Sequence, residues 1–379
     1  MLLDFIILML IYIVGFTFIL ISASYIAPRV AKRFTDRFKL QSSMIILGLV
    51  IIIAGLSGVA LTAYILFDLL GAEVTTGFII MVLIFVLILN MISYLFSPLT
   101  INIMYGAKPN PQLQAVVNEV SSKLGLRKPP KAVVVKSPPN AFAYGNFIFG
   151  KYVAVSDMLM EITTPEELKA IIGHEIGHHR HRDNFIILFM GLIPSVLYFL
   201  GVFLVRIGLI SGFARSYYSR RREGGGGLIL VLAGLVAIAV SFIVQILVLA
   251  FSRLREYYAD TAGAFATSSR SMQRALARLH VYYNINKFAR DSIQTSKLRT
   301  LFLYAFAEAY ANPFYRHIPV SRDIRSIDID SVVEELKRMK AEEPSEVFST
   351  HPAIPKRIKF LDTIAFYYGG DYRQLTTIP

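Results

Sequence analysis

The sequence predicts an α-helical integral membrane protein carrying a mainly helical polar domain with a small β-sheet. Three observations lead there. Of 379 residues, 55% are hydrophobic and only 17% charged, with mean hydropathy +0.54, whereas soluble domains carry about 25% charge. The apolar residues are concentrated in long blocks, several of bilayer length. The polar remainder holds a well-written helix start running into His174-Glu175-Ile176-Gly177-His178. Together these argue against a water-soluble enzyme.

Composition removes further classes. The chain has no cysteine, which excludes disulfides, iron–sulfur ligation, thiolate zinc sites and cysteine nucleophiles. The 39 Lys+Arg against 26 Asp+Glu, net charge +13, suit contact with anionic lipid. No basic patch is tied to a binding fold, so nucleic acid is not an expected partner.

Five spans are expected. Leu2–Ile26 is apolar except for Asp4 and runs into Ala27-Pro28-Arg29 with no small-residue cleavage region, so it reads as a retained helix rather than a signal segment. Met44–Leu66, Gly77–Phe96, Phe185–Leu209 and Gly227–Leu249 follow, with Asp68 and Glu73 in the turn between the second and third. Arg29, Lys32, Arg33, Arg37 and Lys39 face only Asp36 after the first span. The positive-inside rule then puts the N-terminus outside and both polar pieces in the cytoplasm. Arg215, Arg220, Arg221 and Arg222, between the last two spans, run against that rule. The expected organisation is three spans in 1–103, the first half of the polar domain in 104–184, two spans in 185–250 and the second half in 251–379. As two separate pieces the polar domain would be marginal in size; joined, it can bury a core.

Within the polar part, Pro109–Leu124 reads as a helix, with Leu113, Val116, Val117, Val120 and Leu124 at helical spacing. Lys131–Val135 reads as a strand after Pro129 and Pro130, and Asn146–Val155 as a hairpin turning near Gly150-Lys151. Gly224–Gly227 reads as a flexible tip, and 270–325 as largely helical.

The chemistry is concentrated in the helix opened by Thr164 as cap, Pro165 at the first position and Glu167 at the third. Positions four apart share a helix face, so His174 and His178 can present two imidazoles to one zinc, with Glu175 placed to take a proton from water. Four of the seven histidines fall in 174–181, which headgroup contact alone does not explain. His179 and His181 are expected not to ligate. A catalytic zinc needs a third protein ligand and one open position. Arg253-Leu254-Arg255-Glu256-Tyr257-Tyr258-Ala259-Asp260 offers two carboxylates four apart, one to ligate and one to accept from a ligand histidine. The competing reading is an interfacial helix edge, with Arg253 and Arg255 on lipid headgroups.

His-Glu-Ile-Gly-His followed by Asp183, then Arg-Glu-Tyr-Tyr-Ala-Asp, then Ser349-Thr350-His351-Pro352 with Arg357 resembles the integral-membrane M48 metalloproteases. The likeness is greatest to the HtpX heat-shock branch and more distant to the CAAX prenyl protease Ste24. The three motifs keep family order from about Pro109 to the C-terminus. The resemblance implies a zincin-like metalloprotease domain with one Zn2+ per chain held by His174, His178 and Glu256, and with Glu175 as general base. It further implies Asp260 behind a ligand histidine, His351 beside the reacting carbonyl, and Arg357 bracing the site. Pro139-Asn140-Ala141-Phe142-Ala143-Tyr144-Gly145 resembles the family's Asn-Ala-Phe segment, so Asn140, Ala141 and Phe142 are expected beside an edge strand that pairs with extended substrate. From the residues alone, Asn140 is a turn residue and His351 a loop histidine before a helix-opening proline. The bacterial members have two spans before the first motif; this chain is expected to have three.

The implied function is zinc-dependent hydrolysis of peptide bonds in misfolded or damaged membrane proteins and their cytosolic segments, at the cytoplasmic face of the cell membrane. Its partners are then protein or peptide substrates and the lipid bilayer. Three rivals are weighed against it. A prenyl-protein processing protease would need many spans around a large chamber. A zinc-binding scaffold or chaperone would not need Glu175. A transporter would carry charges mid-span, where this chain has almost none. The sequence names neither a cleavage motif nor an oligomeric state.

Overall fold

The computed structural model describes residues 40–70, 72–180, 183–218, 225–285, 327–339 and 351–368. The expected first span, the basic segment after it, His181, Arg220–Arg222, Ser349 and Thr350 lie outside the described residues. The chain divides into two units, Met1–Ile45 and Ile46–Pro379, and the sheet, the polar helices and the site all belong to the second.

Among the described residues, four long helices carry apolar blocks: α1 (Leu40–Leu70), α2 (Ala72–Met104), α6 (Asp183–Tyr218) and α7 (Gly225–Ala266). Gly77–Met104, Met190–Ile210 and Gly227–Ala266 are long and apolar enough to cross a bilayer, and Ile46–Thr62 is a shorter apolar stretch. Polar side chains within these segments bond back to their own helix, as Thr62 does to Gly58 O and Asn90 to Val86 O, which keeps them from being orphaned in hydrocarbon. Gly225–Gly227 belong to the first turn of α7. The flexible tip expected there is therefore not seen at those three residues, because the apolar run behind them continues the helix to its start.

The polar part begins with β1 (Lys108–Pro109) and α3 (Pro111–Lys123), then β2 (Lys131–Val135), β3 (Ala141–Asn146), β4 (Gly150–Ser156) and α4 (Asp157–Ile162). Pro109 pairs in β1 instead of opening the helix; Asn110 caps α3, its side chain accepting from Leu113 N–H at 2.9 Å. The sheet order is β1-β2-β4-β3, with β2 and β4 parallel and the other pairs antiparallel. The expected hairpin exists, but its turn is Phe147-Ile148-Phe149, with Gly150 already in β4. Asn146 makes the turn, accepting from the backbone N–H groups of Ile148 and Phe149, a side-chain turn that asparagine forms readily. Gly145 has φ +137, and a Cβ there would lie 2.2 Å from Gly150 O, so the strand passes Gly150 only because the residue has no side chain.

Helix α5 (Pro165–Arg180) lies over this sheet. Its start is a reciprocal cap: Thr164 N–H donates to Glu167 Oε2 and Glu167 N–H to Thr164 Oγ1, worth about 1 kcal/mol. Ile172 and Ile176, four apart and fully buried, share a core with Val117, Val153, Val155 and Leu159. Two such isoleucines contribute roughly 1.5–3 kcal/mol each. Residues two further along point nearly opposite on a helix, so burying these isoleucines turns His174 and His178 away from that core. A second core joins α8 (Ser269–Ile285), α9 (Ile329–Arg338) and α10 (Ile354–Tyr368) through Leu276, Val333, Ile358 and Leu361. Glu167 links the two layers: buried, it accepts from Arg278 at 2.7 and 3.1 Å and from Arg274 at 3.2 Å. Burial alone would raise its carboxyl, but the Arg278 and Arg274 guanidinium groups and the Thr164 N–H hold it below the ordinary range.

Candidate metal centre

Helices α5 and α7 touch backbone to backbone. A Cβ on Gly173 would lie 2.5 Å from Ala266 Cβ, one on Gly177 2.9 Å from Ala262 Cβ, and one on Gly263 2.7 Å from Ala170 O. This seam explains the glycine inside His-Glu-Ile-Gly-His, and it brings the end of α7 close enough for a short carboxylate to reach the histidines.

One ligand atom from each of His174, His178 and Glu256 lies within 4.8 Å of the others. His174 Nε2 is 3.3 Å from His178 Nε2, and the rings are edge-on at 87°. The two Glu256 oxygens stand 3.6 Å from His174 Nε2 and 3.5 Å from His178 Nε2. Behind His174, Nδ1 is 3.0 Å from Asp260 Oδ1, and Asp260 Oδ2 accepts from Arg357 Nε at 2.8 Å. A carboxylate on Nδ1 fixes that proton and leaves the Nε2 lone pair pointing inward.

The donor set fits a zinc ion. Two imidazoles and a carboxylate converge with no lysine among them, the set known for catalytic zinc with one position to spare. Glu256 Oε2 is buried without a well-aligned hydrogen bond, although His351 Nδ1 comes within 2.6 Å. Burial would lower the His174 imidazole, yet the Asp260 and Glu256 carboxylates push it up to about 10. The pocket therefore demands a positive charge, which a divalent cation supplies in place of that proton. Burial holds His178 well below its ordinary value, in the neutral form that ligates.

Glu175 is buried beside these groups. Burial pushes its carboxyl up to about 7; Glu256 acts in the same direction, while His174, the Ala143 backbone N–H and His351 oppose it. Asn140 O accepts from Ser156 N–H, pointing toward β4, and successive residues alternate, so the Ala143 N–H that reaches Glu175 leaves the strand on the side away from β4. Strand β3 is the end strand of the sheet, and its outer edge meets the Glu175 carboxylate.

The predicted residues therefore divide. His174, Glu175, His178, Glu256, Asp260, His351 and Arg357 converge, with His351 reaching Glu256 from a half-exposed position. Ala141 and Phe142 lie in β3; Asn140 precedes it with an exposed side chain, its backbone paired with Ser156. Asp183 is the first residue of α6. His179 donates from Nε2 to Tyr152 O at 2.7 Å, a structural histidine with its imidazole pushed down to about 4 by burial first and by Lys151. Ala143 and the glycine seam were not anticipated. The i, i+4 pair Gly173/Gly177, facing Ala262 and Ala266, was the available signal.

Two histidines four apart on one helix, a glutamate from a second helix, and an aspartate–arginine pair behind them, in a chain with several bilayer-length helices, define a membrane-integral metallopeptidase. The chain belongs to peptidase family M48, whose family model matches residues 107–365. It is 46% identical over 355 residues to a protein from Pyrobaculum aerophilum described as "Protease HtpX homolog", covering 94% of this chain and 96% of that one. A relative of the same description from Archaeoglobus fulgidus is 46% identical over 360 residues, covering 95% and 97%. Among solved structures, the crystal structure of S. mikatae Ste24p matches with TM-score 0.45 and 16% identity, covering 86% of this chain and 67% of that one.

Proposed function

We propose that this chain is a zinc metalloendopeptidase that cleaves misfolded or damaged membrane proteins and their cytosolic segments, with one zinc per chain. The observation that carries the reading is the convergence of His174, His178 and Glu256 within 4.8 Å, beside a buried Glu175 held to the end strand of a sheet. When bound, zinc supplies Lewis acidity that acidifies water and polarises a carbonyl. Glu175 takes the proton of the attacking water and passes it to the leaving nitrogen. Asp260, braced by Arg357, keeps His174 in one tautomer. His351 donates to the developing oxyanion. Extended substrate adds to β3 near Asn140, Ala141 and Phe142, which exposes its scissile carbonyls as a helix would not. The basic residues between 29 and 39 favour a multi-pass arrangement in the cell membrane with this site on the cytoplasmic side.

The test uses the purified full chain in detergent beside Glu175→Gln. About one zinc in both, with casein cleaved only by the unsubstituted chain and chelation abolishing it, is the expected result. Zinc without cleavage moves the assignment to a narrow-specificity enzyme or a binding protein. Absence of zinc ends it.

A further inference from the structure

The β3–β4 turn presents Phe147, Ile148 and Phe149 at 77%, 58% and 36% exposure, three large apolar side chains in a row at the tip of a hairpin whose strands are otherwise buried or half-buried except at Lys151. Such an exposed apolar run calls for a partner.

The partner is identified by what the turn is fastened to. Pro98 lies inside α2, and a proline cannot donate to the carbonyl four residues back, which here belongs to Tyr94. Asn146, at the base of the turn, is buried and donates from Nδ2 to Tyr94 O at 2.9 Å and Leu95 O at 2.8 Å. The same asparagine accepts from Ile148 and Phe149, so one side chain both shapes the turn and ties it to the broken hydrogen-bond ladder of α2. The Phe147 ring packs 6.2 Å from the Tyr94 ring. Two residues earlier in β3, Tyr144 donates to Asn102 Oδ1. Both sets of bonds fall within Gly77–Met104, the stretch long and apolar enough to cross a bilayer; passing from Tyr144 to Asn146 moves from residue 102, near its end, back to 94–95, about 11 Å further into it along α2. Around that level α2 exposes Met91, Ile92, Phe96 and Leu99, a face that only lipid suits.

We infer that Phe147-Ile148-Phe149 is inserted into the lipid interface, as a membrane foot of the hairpin that carries the end strand β3. Aromatic side chains favour the boundary between headgroups and acyl chains. Asn146 satisfies the N–H groups of Ile148 and Phe149, so those two enter without an orphaned donor.

The chain has no tryptophan, so one introduced residue reports alone. Phe147→Trp is made in the full chain and reconstituted in phosphatidylcholine–phosphatidylglycerol vesicles, with Gln112→Trp, on exposed α3, as control. The expected result is blue-shifted emission from Trp at 147, quenched several-fold more strongly than Trp at 112 by lipids brominated near the top of the acyl chain. Equal quenching at the two positions overturns the proposal. A blue shift at 147 without lipid quenching also overturns it, since another protein surface, such as a second copy, would then cover the turn. Zinc content measured on both proteins establishes that the domain has folded around its ligands before either result is read.

Discussion

Helix α7 meets two partners by the same device and for different ends. In its first half it lies against α6: a Cβ on Gly201 would fall 2.7 Å from Gly234 O, and one on Gly208 2.6 Å from Gly227 O. In its second half it lies against α5 through Gly173, Gly177 and Gly263. In lipid, apolar surface gains nothing by leaving its surroundings, so helices are held by close backbone approach, dispersion and Cα–H···O contacts. Toward the polar domain the hydrophobic effect is available, yet the seam is just as tight. What it achieves there is position: Glu256 and Asp260 have short side chains, and both reach His174 only because the axes are close. Close packing supplies cohesion in one half and aim in the other.

The largest expected effect separates these roles. Gly177→Leu must displace Ala262 and the Ala259 backbone, costing about 3 kcal/mol or more and abolishing zinc binding. Gly191→Leu, where nothing lies within 4 Å of the new Cβ, should leave the unfolding midpoint and zinc content unchanged. Equal losses at the two positions would remove the seam from the explanation.

Acidity probes the polar half next. His179 is neutral in the fold, with its imidazole pushed down to about 4, while an unfolded histidine titrates near 6.5. Between those values the unfolded chain binds more protons, so stability is full above pH 6.5, falls as pH drops toward 4, and then levels. The contribution is about 3 kcal/mol over that window. His179→Gln keeps a donor for Tyr152 O and should flatten this part of the profile in chemical denaturation at stepped pH. An unchanged slope would assign the acid sensitivity elsewhere.

Smaller still is the loss of aim behind the ligands. Asp260→Asn should weaken zinc about 10- to 100-fold by competition with a chelating dye, and it should lower the unfolding midpoint as well, since Arg357 loses its buried counter-charge. An unchanged zinc affinity would mean that Arg357 and packing alone orient His174. Smallest for the metal site is Gly234→Ala in the lipid half: the new methyl would meet Gly201 O at 2.6 Å and Val205 N at 2.8 Å, costing ~1–3 kcal/mol of stability with zinc affinity unaltered. A change in zinc affinity there would show that the halves of α7 are not independent.

The local part of this architecture was legible. Thr164, Pro165 and Glu167 start α5 where the capping pattern puts them, and two histidines one turn apart need only helical geometry to share a face. Glu256 and Asp260 could be read only as a pair of candidates from spacing; the family likeness separated them, and the structure sets the first facing both histidines and the second behind His174. The hairpin turn was misplaced because glycine is the strongest turn signal, whereas an asparagine side chain makes the bend and Gly150 only follows it. Ala143 at Glu175 was not legible, since a backbone N–H carries no side-chain signature and its direction depends on sheet register. The double role of Glu167, cap residue and partner of Arg278, needed a contact more than a hundred residues away.

Helix α7 runs unbroken for 42 residues, about 63 Å at 1.5 Å per residue, roughly twice the hydrocarbon thickness of a bilayer. Its membrane half and Glu256 thus sit on one continuous helix. A 5° change of tilt about the middle of the span would swing a point some 27 Å along that helix by about 2 Å, comparable with a metal–ligand bond length. The seam with α5 holds Glu256 against such a swing, so the ligand spacing should survive changes of bilayer thickness, and zinc affinity should stay constant in vesicles of graded acyl length.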